Sequence, residues 1–244
     1  MSYVAALDED SRRLAQPWPN MRPRDASTIL LVDRAGPEPR VLMGRRHARQ
    51  IFMPDKYVFP GGSVDPYDAR VQTARGLRPE VERRLLARSR RATPARARAY
   101  AMAAVRELAE ETGLLIGSTD APSRPLGHPH WRPFAEAGLL PALDELAFIA
   151  RAVTPPGRPR RFDTRFFAAD ARLVAGRVEG LVGPDAELTE VVWVTLAEAR
   201  DLDLPRVTRV VLDDLERFID EGYAPARPVP FYKPANDRMR REEL

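Results

Sequence analysis

Apolar positions along this 244-residue chain recur in two rhythms. Residues 26–33, 41–45, 146–153, 162–168 and 191–194 are apolar runs rich in β-forming side chains, and each predicts a strand. Between the first two runs lies Arg34-Ala35-Gly36-Pro37-Glu38-Pro39, a turn sequence that makes them a hairpin. The other rhythm is helical. Ala101, Ala104, Val105, Leu108 and Thr112 share one face of a helix over 98–112, and Gly113 follows where a left-handed cap is usual. Val207, Val211, Leu215 and Phe218 predict a second helix that ends before Gly222. Thr195-Leu196-Ala197-Glu198 has the form of a capping box. Val81, Leu85 and Leu86 mark one side of a short helix within 81–91. Residues 1–24 read as an irregular lead-in, 119–138 as a proline-bearing loop and 154–160 as a turn. From Ala224 the tail is proline-rich and charged, which predicts an extended segment packed on a neighbouring subunit, as in a homodimer. Strands and helices alternate without regular βαβ units, a pattern suited to a mixed sheet between helices.

The polar side of the 98–112 helix carries the chemistry. Glu107, Glu110 and Glu111 stand at i, i+3 and i+4, and about 100° per residue puts them on one face. Charge repulsion makes such a cluster either a solvated face or a cation site. Carboxylates are hard ligands and suit Mg²⁺ or Mn²⁺. Upstream, Phe59-Pro60-Gly61-Gly62 supplies a glycine pair that lets backbone approach a ligand closely.

Arg106-Glu107-Leu108-Ala109-Glu110-Glu111-Thr112-Gly113-Leu114, with Gly62 upstream, resembles the signature of the Nudix hydrolases, G-x5-E-x7-R-E-U-x-E-E-x-G-U. The second half matches at all seven specified positions. Asp68 stands where the family has glutamate, and an insertion of 30 residues separates it from Arg106. The resemblance implies an α/β/α sandwich with a mixed sheet, formed by a single domain with a core over about residues 25–222, an insertion at 69–98 and a tail at 223–244. It implies hydrolysis of a diphosphate bond in a small nucleoside diphosphate derivative, helped by Mg²⁺ or Mn²⁺. Glu110 and Glu111 are then the principal metal ligands, the Gly61 carbonyl completes the sphere, and Glu107 is a further ligand or the base. Arg106 is placed to pair with Glu110 and fix its rotamer. Asp185, Glu187 and Glu190 are further candidates for the base. Residues 52–65 and 161–167 are similar to the branch that includes coenzyme A and acyl-coenzyme A diphosphatases.

Phosphate binding asks for positive charge. Arg45, Arg46, Arg161 and Arg165 are candidates for it, with Arg158 and Arg160 as further positive charge around the later strands, and Phe59 is a candidate for substrate packing. Arg161, Asp163 and Arg165 share a strand face, so Arg165 is either a phosphate contact or the partner of Asp163. The segment 69–98 holds ten arginines and two glutamates, a net charge of +8 in a chain of net +4. It predicts either a solvated helical flap or a lid that attracts anions. His128-Pro129-His130 has no further ligands at recognisable spacing, so these read as surface or structural histidines.

Hydrophobic content of 44% supports a real core. The absence of cysteine excludes disulfides, thiolate zinc sites and the isomerase chemistry that a cysteine supports in this superfamily. No apolar run is long enough to span a membrane and the first residues lack a signal-peptide layout, which suits the cytoplasm. The alternative to an enzyme is a non-catalytic ligand sensor or nucleic-acid-binding module, to which the basic segment lends support.

Overall fold

The structure is a computed structural model and describes residues 18–19, 21–50, 53–89, 92–120, 128–224, 227–235 and 238–244. Most of the lead-in, the middle of loop 119–138, and Arg90 and Arg91 lie outside the described residues.

The expected hairpin is present. Strand β1 (Arg24–Asp33) pairs with β2 (Arg40–Arg46), with Val32 opposite Val41. Two short strands follow, β3 (Tyr57–Val58) on β2 and β4 (Gly61–Ser63) on β1. Next come α1 (Pro79–Leu86), α2 (Pro94–Thr112), β5 (Leu114–Ser118), α3 (Arg132–Glu136) and β6 (Leu140–Pro141). Then β7 (Ala147–Val153), β8 (Phe162–Asp170), β9 (Val174–Arg177) and β10 (Leu188–Thr195) lead into α4 (Leu196–Asp201) and α5 (Arg206–Asp220). The chain closes with β11 (Pro230–Ala235) and β12 (Arg238–Glu243). The main sheet is mixed, in the order β10-β2-β1-β8-β7-β11-β12. Its parallel pairs are β1 with β8 and β11 with β7. A smaller sheet runs β6-β5-β9.

Each face of the main sheet has its own core. On one side Tyr100, Val105 and Leu108 of α2 pack with Ile29, Leu31, Leu42 and Phe167. On the other, Val211, Leu212, Leu215 and Phe218 of α5 pack with Leu30, Met43, Ile149 and Phe166. Adjacent strand residues such as Phe166 and Phe167 enter opposite cores because the side-chain period of a strand is two. The result is the expected α/β/α arrangement.

Helix α2 begins at Pro94, four residues before the predicted start, because Thr93 caps it by accepting a hydrogen bond from Arg96 N–H at 3.2 Å. It ends at Gly113, whose φ of 78° is the predicted left-handed cap. The capping box at Thr195 and Glu198 is also formed.

Two expectations are corrected. The tail does not wait for a neighbouring subunit: β11 lies beside β7 of the same chain and β12 folds back on it. The described residues of the 69–98 segment pack on the body of the protein, where a lid was one expectation. Val81 and Leu85 of α1 are buried in the α2-side core, and Arg88 ion-pairs with Glu242 of β12. Burial of two apolar side chains holds the helix on the core more firmly than surface arginines could hold it over a cleft.

Candidate active site

Strand β4 brings the glycine pair under α2. Gly61 and Gly62 pair with Thr28 and Ser27 of β1, and a Cβ on Gly62 would lie 2.5 Å from the Glu107 carboxylate. A Cβ on Gly61 would lie 2.6 Å from the Ser27 carbonyl oxygen. At Gly61 a side chain would collide with the backbone of β1, and at Gly62 it would displace the Glu107 carboxylate.

Arg106 ties loop to helix. Its Nε donates to Asp68 Oδ1 at 3.0 Å and its Nη2 to Asp68 Oδ2 at 3.2 Å and to the Ser63 carbonyl at 2.8 Å. Its Nη1 donates to Glu107 Oε1 at 2.8 Å and to Glu110 Oε2 at 2.9 Å. Burial opposes the guanidinium charge, but the Asp68, Glu107 and Glu110 carboxylates outweigh it and hold its pKa above the ordinary arginine value. Glu111 accepts the Gly61 N–H at 3.1 Å. Burial raises the Glu107 pKa to about 7, and Arg106 offsets only part of that rise. Glu111 is pushed well above the usual carboxylate range, first by burial and then by the charges of Glu107 and Glu187.

These carboxylates sit where they cost most. Glu110 and Glu111 occupy the last turn of α2, which holds no basic residue and where the helix dipole already disfavours negative charge. Glu110 Oε1 is buried and makes no hydrogen bond. Among the described residues no three His, Asp or Glu side chains are already drawn together as a metal cluster. Their oxygens are instead turned to Arg106 and Gly61 N–H. Buried carboxylates, an unbonded oxygen and a flanking glycine strand form a donor set that suits a hard divalent cation.

Beside Glu107 opens a cleft of about 840 Å³. Arg46, Lys56, Phe59, Gly61, Gly62 and Glu187 line it, together with Phe162, Thr164 and Phe166 of β8. Arg158, Arg160 and Arg206 add positive charge. Arg46 donates to Glu187 at 3.1 Å and to Gln50 at 3.2 Å, while its buried Nε has no hydrogen-bond partner.

A solved Nudix hydrolase from Alicyclobacillus acidocaldarius overlays on this chain with a TM-score of 0.58 and 29% identity, over 79% of this chain and 90% of that one. The fold is that of the Nudix hydrolases, and the chain is an enzyme of that class. A Nudix hydrolase from M. smegmatis overlays at 18% identity over 81% of this chain and 86% of that one, with a TM-score of 0.44. A MutT Nudix hydrolase from Burkholderia pseudomallei overlays at 19% identity over 80% and 99%, with a TM-score of 0.43. No family model matches the chain, and no curated protein does. No helix among the described residues is long and apolar enough to cross a membrane.

Within this Nudix fold the sequence-derived site residues divide. Gly61, Arg106, Glu107, Glu110 and Glu111 come together. Of the five substrate-binding candidates, Arg46 and Phe59 line the cleft; Arg45, Arg161 and Arg165 do not. Arg45 lies on the opposite face of β2 from Arg46 and faces Asp55 at 3.6 Å. Arg161 donates to the Thr154 and Met21 carbonyls, tying loop to sheet. Arg165 is 1% exposed, bonds Asp25 at 2.9 Å and lies 3.8 Å from the Tyr100 ring centroid. Arg161, Asp163 and Arg165 do share a face, but it is the α2 side of β8; the even-numbered residues meet the cleft. Burial lowers the pKa of both Arg161 and Arg165. Glu190 accepts from the Tyr57 hydroxyl at 2.7 Å, and of the three candidate bases only Glu187 lines the cleft. Arg158 and Arg160, read from the sequence as further positive charge, do line the cleft; Lys56 and Arg206 do so as well, and sequence reasoning did not place them there. Asp68, whose role the spacing left open, is fully buried against Arg106.

Proposed function

We propose that this single Nudix domain performs divalent-metal-dependent hydrolysis of a diphosphate bond in a nucleoside diphosphate-linked substrate, with coenzyme A or an acyl-coenzyme A as the favoured substrate. The observation that carries the reading is the gathering of Glu107, Glu110 and Glu111 at one end of α2, with Glu107 against Gly62, Glu111 on the Gly61 N–H, Glu110 on Arg106, and Glu107 lining a cleft that also takes Arg46, Lys56, Arg158 and Arg160.

Glu107, Glu110, Glu111 and the Gly61 carbonyl would hold Mg²⁺ or Mn²⁺. Such a cation neutralises phosphate oxygens, acidifies water and orients it in line with the leaving group. The residues of the chain do the rest. Arg106 fixes Glu107 and Glu110 in one geometry, and Asp68 fixes Arg106. Arg46, with its unpartnered Nε, faces the substrate phosphates. The attacking water gives its proton to a carboxylate as its oxygen bonds phosphorus; the bond to the bridging oxygen breaks, and that oxygen leaves with the electron pair as a phosphate. Glu187 is the acceptor favoured here, since it faces the same space and Arg46 orients it. The coenzyme A reading rests on the likeness of residues 52–65 and 161–167 to that branch. It also rests on the cleft, whose lining combines the apolar Phe162, Phe166, Leu204 and Val207 with the cationic Arg158 and Arg160.

Product mass spectrometry tests the reading. The chain is incubated with coenzyme A, acyl-coenzyme A, nucleotide sugars, dinucleoside polyphosphates and NADH, each with Mg²⁺ or Mn²⁺. Cleavage of the coenzyme A compounds at the diphosphate is expected. Glu110→Gln and Glu111→Gln should each fold normally and lose at least about a hundredfold in turnover, the scale of removing one electrostatic stabiliser. Near-wild-type turnover in both would remove the metal assignment, and preference for another substrate would remove the coenzyme A assignment.

A further inference from the structure

The two histidines without a role in sequence lie beside the signature helix. His130 Nδ1 is in direct contact with Glu110 Oε1, the carboxylate oxygen that makes no hydrogen bond. The other oxygen of Glu110 is held by Arg106. His130 does not drift on the surface. Its ring stacks on His128, with centroids 4.9 Å apart and planes 24° apart. His128 stacks in turn on Tyr67 at 4.4 Å and 27°. The next residue, Trp131, is fully buried and packs on Phe134 of α3, which anchors the backbone beneath the stack. His128 Nδ1 is itself buried and unpartnered. A column of three rings therefore aims an imidazole nitrogen at the Glu110 oxygen that makes no hydrogen bond.

Two electron-pair donors in contact need a proton or a cation between them. The contact lacks hydrogen-bond geometry, and the carboxylate belongs to the acidic face that calls for a cation. We propose that His130 is a nitrogen ligand to the divalent ion held by Glu110, and that it shifts the preference of the site from Mg²⁺ toward Mn²⁺ and later first-row metals. This rests on the metal reading of Glu110 proposed above. Mg²⁺ takes oxygen donors and keeps its waters, whereas imidazole suits borderline transition metals, with affinity rising along the first row. The stack supplies what a metal-ligating histidine needs from its surroundings, a fixed ring plane.

Pulsed electron paramagnetic resonance of the full chain loaded with Mn²⁺ tests this. Loss of the free Mn²⁺ signal reports binding, and modulation from ¹⁴N reports a directly bound imidazole. The wild type is expected to show ¹⁴N modulation that His130→Gln abolishes. Competition between Mn²⁺ and Mg²⁺ should show the Mn²⁺ preference reduced about tenfold in that variant, the lower end of the loss seen when a residue supporting a metal site is removed. His130 is half exposed, so His130→Gln should fold, which its thermal midpoint checks. Bound Mn²⁺ without ¹⁴N modulation in the wild type overturns the proposal, as does modulation that persists in His130→Gln. If Mn²⁺ does not bind the wild type at all, the metal reading of Glu110 falls with it. If it binds and Glu110→Gln abolishes binding without any nitrogen signal, only the His130 proposal falls.

Discussion

Asp68 and Arg106, 38 residues apart, form a two-point ion pair with side-chain exposures of 0% and 5%. Through it the loop that follows the glycine strand is bonded to the helix that carries the acidic face. The same guanidinium reaches Glu107 and Glu110, so Asp68 acts on the site without touching substrate.

Removing Asp68 should therefore lower stability and activity together. Loss of one member of a buried, hydrogen-bonded pair costs about 3 to 5 kcal/mol. Asp68→Ala is expected to lower the urea midpoint accordingly and to raise the Mn²⁺ concentration needed for half-maximal turnover. Glu110→Gln should lose turnover with little change in midpoint, and urea unfolding beside metal-titrated turnover separates the two.

The adjacent glycines should respond differently to alanine. At Gly62 the added methyl meets the Glu107 carboxylate, which can swing away, so the fold should survive while turnover falls at least tenfold. At Gly61 it meets the Ser27 carbonyl and Thr28 Cα of β1, which are backbone and cannot yield cheaply. Gly61→Ala should lower the thermal midpoint and Gly62→Ala should not; the reverse order would mean that the glycine pair is not wedged between strand and helix.

The 69–98 segment should matter for stability rather than for substrate. Leu85 is 1% exposed within the α2-side core, so Leu85→Ala should cost about 2 to 5 kcal/mol. None of the segment's described residues lines the cleft. Replacing Arg83, Arg84 and Arg88 by serine should leave KM, kcat and the salt dependence of kcat/KM close to wild type, measured between low and moderate ionic strength. A raised KM with a flattened salt dependence would restore a steering role.

Asp214 gives a pH signature away from the site. It is 1% exposed, accepts the Tyr232 hydroxyl at 2.9 Å, and burial lifts its pKa from 3.8 to about 6. A carboxyl raised in the folded state binds its proton more tightly there. Its contribution is neutral below about pH 4, becomes unfavourable as pH rises through 6, and is constant above. The loss across that window is on the order of 3 kcal/mol. Asp214→Asn keeps an acceptor for Tyr232 and should flatten the fall in unfolding free energy between pH 4 and 6. An unchanged slope in the variant would assign that fall to other groups.

Much of the site was legible because its logic is local. Helical geometry alone puts Glu107, Glu110 and Glu111 on one face, and Gly113 and the Thr195–Glu198 box act within a turn of the helix ends they cap. The hairpin of β1 and β2 is equally local, since its turn residues lie between its strands. Strand parity likewise determined that Arg161, Asp163 and Arg165 share a face. It could not determine which face, because a period of two is symmetric between the two sides of a sheet. Only the packing of α2 and its Tyr100 against β8 turned those residues inward and left Phe162, Thr164 and Phe166 to line the cleft. The same holds for Asp68 against Arg106, His130 against Glu110 and β11 beside β7. Each joins segments far apart in the chain, and residue order carries no distance between them until the two cores close on the sheet.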